Sequence, residues 1–314
     1  MPNYQTKGLA QGAMMIAIFV VLIAISLYVP LVSIVATLFA PLPLAWYSAN
    51  YDRNQSILVA ILACVLTFFI GGLLILPFSF IFATIGVVMG ITLRLKKSKL
   101  FILMTTGLTV LITFAVDYII SLKLFEMDFI KESMQMMRTS YEQSIQLTQN
   151  ITGQSPITQE NLELLFVTLE ITIPAAVTIA AFAMALIIIV INFPVLRRLG
   201  VTVPKFTKLK DLKLPRSILW YYLIVLFINL FVKPEVGSTI YVICLNFSMI
   251  LWVLLTIQGL SFILYFLDKK IKVTNFVKVL VILLAIPLYS FIILIGIVDL
   301  GFDIRSLVKD KVQK

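Results

Sequence analysis

Residues 8–51 read GLAQGAMMIAIFVVLIAISLYVPLVSIVATLFAPLPLAWYSANY and contain no charged side chain. A helix needs about 20 apolar residues to cross the hydrocarbon of a bilayer, so this stretch holds two crossings. Residues 54–93 are again uncharged and hold two more. Further apolar runs occupy residues 100–122, 164–192, 217–232, 236–267 and 279–298. Backbone groups in lipid must bond to one another, which leaves helices or a closed barrel. The runs are continuous rather than alternating, and that excludes the barrel pattern. The expected fold is an all-α, polytopic transmembrane helical bundle of about nine spans, with eight as the alternative.

Composition agrees. The 314 residues are 61% hydrophobic and 13% charged, against about 45–50% and about 25% in an average soluble domain. A water-soluble chain of this length would lack the polar groups to cover its surface. Lys7 ahead of an apolar stretch imitates a signal peptide, but the stretch is long and a second follows at once, so it reads as a retained anchor. Cys64 and Cys244 lie in separate apolar runs and read as small buried hydrophobes. No histidine is present, which removes the commonest proton shuttle and metal ligand.

Lysine and arginine mark the cytoplasmic loops. Arg94, Lys96, Lys97 and Lys99 follow the fourth run. Arg197, Arg198, Lys205, Lys208, Lys210, Lys213 and Arg216 follow the sixth, and Lys269, Lys270, Lys272 and Lys278 the eighth. These loops alternate with poorly charged or acidic ones, so they share a side, and the N-terminus is expected in the cytoplasm of a bacterial cell membrane. Nine spans put Arg305, Lys309, Lys311 and Lys314 outside, against the trend. Either the tail lies along the interface or one run does not cross.

Three segments follow: a six-helix unit over residues 1–192, a basic loop over 193–216, and C-terminal membrane helices over 217–314. The external loop 123–163 has helical periodicity between Glu126 and Gln149. Ser155-Pro156 reads as a helix start. The loop is either a solvated connector or a lid over an external cavity.

The net charge of +10 raises the question of nucleic acid. Positive-inside bias and anionic lipid account for the basic loops, and no nucleic acid is expected. There is no phosphate-binding loop, no GxSxG and no HExxH, and without histidine no Ser-His-Asp triad. No enzyme activity, cofactor or metal is expected. What remains are polar groups in lipid, which usually face protein or water. Asp117 in the fifth run and Glu170 in the sixth reach similar depth and are expected to flank an external cavity. Pro174, one turn after Glu170, frees a carbonyl. Pro41 and Pro43 break the second run just before Trp46, which joins the candidate binding set with Asn229. Asn229, Asn246 and Gln258 in later runs are more often interhelical hydrogen bonds than ligands. Gly86 and Gly90, and Ala13 and Ala17, are small residues four apart that suit close helix packing or a partner helix.

The segment Phe193-Pro194-Val195-Leu196-Arg197-Arg198-Leu199-Gly200, the pair Leu214-Pro215, and the ending Val298-Asp299-Leu300-Gly301-Phe302-Asp303-Ile304-Arg305 carry a resemblance. With them the chain resembles the YybS-like family of bacterial multi-pass membrane proteins, over nearly its whole length. Up to about Asn192 it is also similar to the substrate-binding subunits of energy-coupling-factor transporters. That likeness implies capture of a solute at the external side. It also implies a transmembrane coupling subunit and cytoplasmic ATPases as partners, with Ala13 and Ala17 matching the first-helix contact pattern. Three extra runs, a long external loop and the lack of a vitamin-specific motif depart from it. The other reading is a non-transporting scaffold or regulator that docks a partner or anionic lipid through its basic loops.

Overall fold

The computed structural model describes residues 4–153, 157–205, 208–270, 274–302 and 304–305. The expected helix start at Ser155-Pro156 lies outside them. All nine apolar runs fold as helix, and no strand occurs among the described residues. Six helices are long and apolar enough to cross a bilayer: α1 (Tyr4–Tyr28), α4 (Arg53–Gly71), α5 (Ile75–Arg94), α6 (Lys99–Leu124), α8 (Gln159–Arg198) and α10 (Thr239–Lys270).

The other three runs depart from a straight span, so the helices long and apolar enough to cross are fewer than the nine expected runs. The second is split into α2 (Ser33–Phe39) and α3 (Leu42–Asn50), because Pro41 and Pro43 supply no N–H at the junction. The seventh is α9 (Ser217–Phe227), closed by a π turn over Ile228–Val232. The ninth is α11 (Asn275–Ala285) and α12 (Tyr289–Phe302), bent by 104° around Ile286-Pro287-Leu288. Counted as one span, that pair brings the number to seven.

The chain divides into two compact units, residues 1–154 with 177–205, and residues 155–176 with 206–314. In the first, α1 approaches α3 and α4 through small residues. A Cβ at Gly8 would meet the Tyr51 ring at 2.9 Å, and one at Gly12 would meet Val59 at 3.1 Å. Gly86 and Gly90 let α5 press against α3: a Cβ at Gly86 would stand 2.6 Å from the Pro41 carbonyl oxygen, and one at Gly90 would run into that of Ala45. The break between α2 and α3 frees the Leu38 carbonyl, and buried Asn192 donates to it at 2.8 Å. Ser98 caps α6 by accepting from the Phe101 N–H. The loop after α6 is largely a helix, α7 (Phe129–Thr152), begun by Asp128 and ended by Gly153 in left-handed conformation. Phe129 packs edge-on against Phe114 and Tyr118, while no residue of α7 is buried.

In the second unit, the Asn246 amide is inserted into the start of α8. It accepts from the Ala175 N–H and donates to the Ile171 carbonyl, both at 2.8 Å. Those two groups would otherwise bond each other, so the side chain repairs the helix one residue past Pro174. Gly259 and Gly296 let α10 and α12 touch along their backbones. A Cβ at Gly296 would run into the Leu255 carbonyl, and one at Gly259 into that of Ile292.

Candidate functional site

The residues singled out in the sequence are divided between the two units. Asp117 and Trp46 belong to the first unit, and Glu170 and Asn229 to the second. Within the first unit, Trp46 donates its indole N–H to the Leu199 carbonyl at 3.2 Å and, like Leu103 of α6, packs against the buried cluster around Met89 and Ile102. Asp117 lies fourteen residues further along α6, about 21 Å at the helical rise. Trp46 therefore marks the basic end and Asp117 the opposite half.

Asp117 is 9% exposed, and one of its carboxylate oxygens is buried without a hydrogen-bond partner. Its surroundings are weakly polar: the Cys64 thiol lies within reach of its field, and Thr67 bonds the Ser79 hydroxyl at 3.0 Å nearby. Glu170 is exposed. No group of three or more acidic, cysteine or histidine side chains is placed to hold a metal among the described residues. Ala13 and Ala17 stand exposed on α1, whereas Gly86 and Gly90 are consumed by packing inside the unit. At its basic end, Arg94 donates to the Tyr51 carbonyl, and with Lys96, Asn50 and Thr202 it lines a small cavity of about 190 Å³.

Asn229 has company. It lies in the π turn after α9 and lines a cavity of about 390 Å³ with Lys233, Pro234, Tyr241, Leu245, Ser248 and Trp252. The π turn widens the helix end, a distortion common at functional positions. Lys233 closes the turn with φ +46° and has no acidic partner among the described residues. The walls are apolar, with one ammonium, one amide and two hydroxyls. That is the usual make-up of a small-molecule site, and the volume falls in the usual range.

At the other end of α10 lies a buried polar cluster that sequence reasoning missed. Arg305 donates to Asp299 at 3.0 Å, to the Ser261 hydroxyl at 3.1 Å, and to the carbonyls of Leu212 at 3.0 Å and Lys210 at 3.2 Å. Gln258 donates to the same Asp299 oxygen at 2.5 Å and accepts from the Leu214 N–H at 2.9 Å. Asp299, Gln258 and Ser261 are fully buried. The Arg305 guanidinium also faces the ring of Tyr265, 5.3 Å from its centroid, an attractive placement for a cation. Beside it Lys210 pairs with Asp268, and that hydrogen bond holds its ammonium above the usual lysine range. The legible signal was an aspartate directly after the last apolar run, six residues before an arginine. A carboxylate there needs a cation.

Residues 17–300 match the family described as "Predicted membrane protein (DUF2232)". The chain is also 27% identical over 314 residues to "Uncharacterized protein YybS" of Bacillus subtilis (strain 168), covering 97% of this chain and 99% of that protein. No solved structure matches it. With the helical fold, the apolar spans and a family match over most of its length, the chain belongs to the DUF2232 family of predicted membrane proteins.

Proposed function

We propose that the chain is a membrane-embedded solute-binding component that does no chemistry of its own. The observation that carries this reading is the cavity around Asn229, Lys233, Ser248 and Trp252. Lys233 sets the charge: a free ammonium in a mainly apolar pocket selects a small anionic molecule with an apolar portion. This is the reverse of the charge that Asp117 and Glu170 would select. Energy for moving a solute would come from a partner, since the sequence has no phosphate-binding loop. The exposed Ala13 and Ala17 on α1 offer a close-packing stripe for a partner's membrane helix. That fits the resemblance to subunits served by a coupling subunit and ATPases. The orientation that goes with this reading has the basic loops in the cytoplasm and α7 outside.

Native mass spectrometry of the detergent-purified chain tests it. A co-purifying anion is expected on the wild type, with occupancy reduced at least about tenfold in Lys233→Gln, the loss of one charge-assisted hydrogen bond. Asn229→Ala is expected to weaken occupancy less. A bound molecule retained equally by both variants, or none on any, would remove this reading.

A further inference from the structure

The geometry points to a last apolar run that does not cross the membrane: α11 and α12 form a re-entrant pair that enters and leaves on the side of the basic segment Lys208–Arg216. Three independent features lead there.

The first is reach. α11 has 11 residues and α12 has 14, about 16 Å and 21 Å of helix at the usual rise. Bent by 104°, the two together separate their far ends by only about 23 Å, less than the ~30 Å of hydrocarbon.

The second is where the pair starts and stops. α10 ends at Lys270 and α11 begins at Asn275, so the entry lies near the Lys270 end of α10. The exit lies there too. Arg305, just past α12, bonds the carbonyls of Lys210 and Leu212 and the Ser261 hydroxyl, while the Lys210 side chain is paired with Asp268 near the end of α10.

The third is the path between. Ile292, Gly296, Asp299 and Arg305 touch α10 at Gly259, Leu255, Gln258 and Ser261, in that order. Arg305 also faces the ring of Tyr265, so the contacts on α10 move from Leu255 and Gly259 to Ser261 and Tyr265 as α12 advances. α12 therefore runs back along α10 towards its Lys270 end and not towards Thr239. The Asp299–Arg305 pair, with Gln258 and Ser261, is the latch that fastens the returning chain to the basic segment.

This arrangement accounts for the charges that nine crossings leave on the wrong side. Arg305 then lies on the side of the other basic loops, as the positive-inside bias requires.

The test is relative and does not depend on which side is the cytoplasm. Single cysteines are placed at Lys208, at Gln143 in α7 and at Lys311 in a Cys64→Ala, Cys244→Ala chain, and labelled with a membrane-impermeant maleimide before and after permeabilisation. Lys311→Cys is expected to label with Lys208→Cys and opposite to Gln143→Cys. Labelling of Lys311→Cys together with Gln143→Cys would overturn the proposal. The same readout in the latch variant Asp299→Asn adds a second arm. Loss of the latch is expected to leave Lys208→Cys labelling unchanged and to make Lys311→Cys label at least several-fold faster; no change in rate there would remove the latch.

Discussion

Asp299→Ala should be among the most damaging single changes in the molecule, destabilising the second unit by about 3–5 kcal/mol. The side chain is fully buried and its carboxylate holds Arg305 at 3.0 Å. Removing it leaves a guanidinium in an apolar setting with neutral partners only. The acceptors that remain, the carbonyls of Lys210 and Leu212 and the Ser261 hydroxyl, do not neutralise its charge. Gln258 also loses the acceptor for its amide. The loss should appear as a lower unfolding midpoint of the detergent-purified protein. A paired replacement, Asp299→Leu with Arg305→Met, should recover most of it, because a buried ion pair often contributes little beyond an apolar pair of similar volume. An unchanged midpoint in the single variant would mean that the cluster does not hold the unit together.

Gly90→Val should damage the first unit on a similar scale, about 3 kcal/mol or more. The added Cβ runs into the Ala45 carbonyl and stands 2.6 Å from the Ser48 Cβ. Backbone atoms cannot rotate away as a side-chain tip can, so α5 and α3 must separate along their length. Gly301→Ala is the contrasting change. A Cβ there meets only a Leu219 methyl at an ordinary 3.6 Å, and alanine favours a helix over glycine by roughly 0.5–1 kcal/mol. Thermal melts of the two variants should therefore move in opposite directions, or Gly301→Ala should leave the midpoint in place. A Gly90→Val midpoint equal to wild type would show that the α3–α5 contact is looser than described.

The membrane class and the positions of the apolar helical runs were legible, because each run was long, apolar and bounded by charge or proline. Asn246 was legible as an interhelical hydrogen bond, since an amide in lipid must find a partner. Its insertion between Ile171 and Ala175 was not, because nothing local to residue 246 points at a proline seventy residues earlier. The number of crossings was not legible either. Apolar content alone does not distinguish α10, which is continuous over 32 residues, from the α11–α12 pair, which bends by 104° around Pro287. The candidate site was read from acids at matching depth, yet Asp117 and Glu170 fall in different units. The cavity took Asn229 from that set and added Lys233, Tyr241, Ser248 and Trp252, whose convergence depends on the π turn and on how α9 meets α10. Arg305 was read as a tail charge on the wrong side, and Asp299 only as part of the closing motif. Only the fold shows that they meet each other in the interior.

The most direct measurement of the threading is the side on which α7 and the basic segment emerge in intact cells. An impermeant maleimide should label Gln143→Cys at once and Lys208→Cys only after the membrane is opened. Labelling of Lys208→Cys in sealed cells, or recovery of the unlabelled chain in the aqueous fraction after lysis, would contradict a helical bundle held in the bilayer with its lysines and arginines inside.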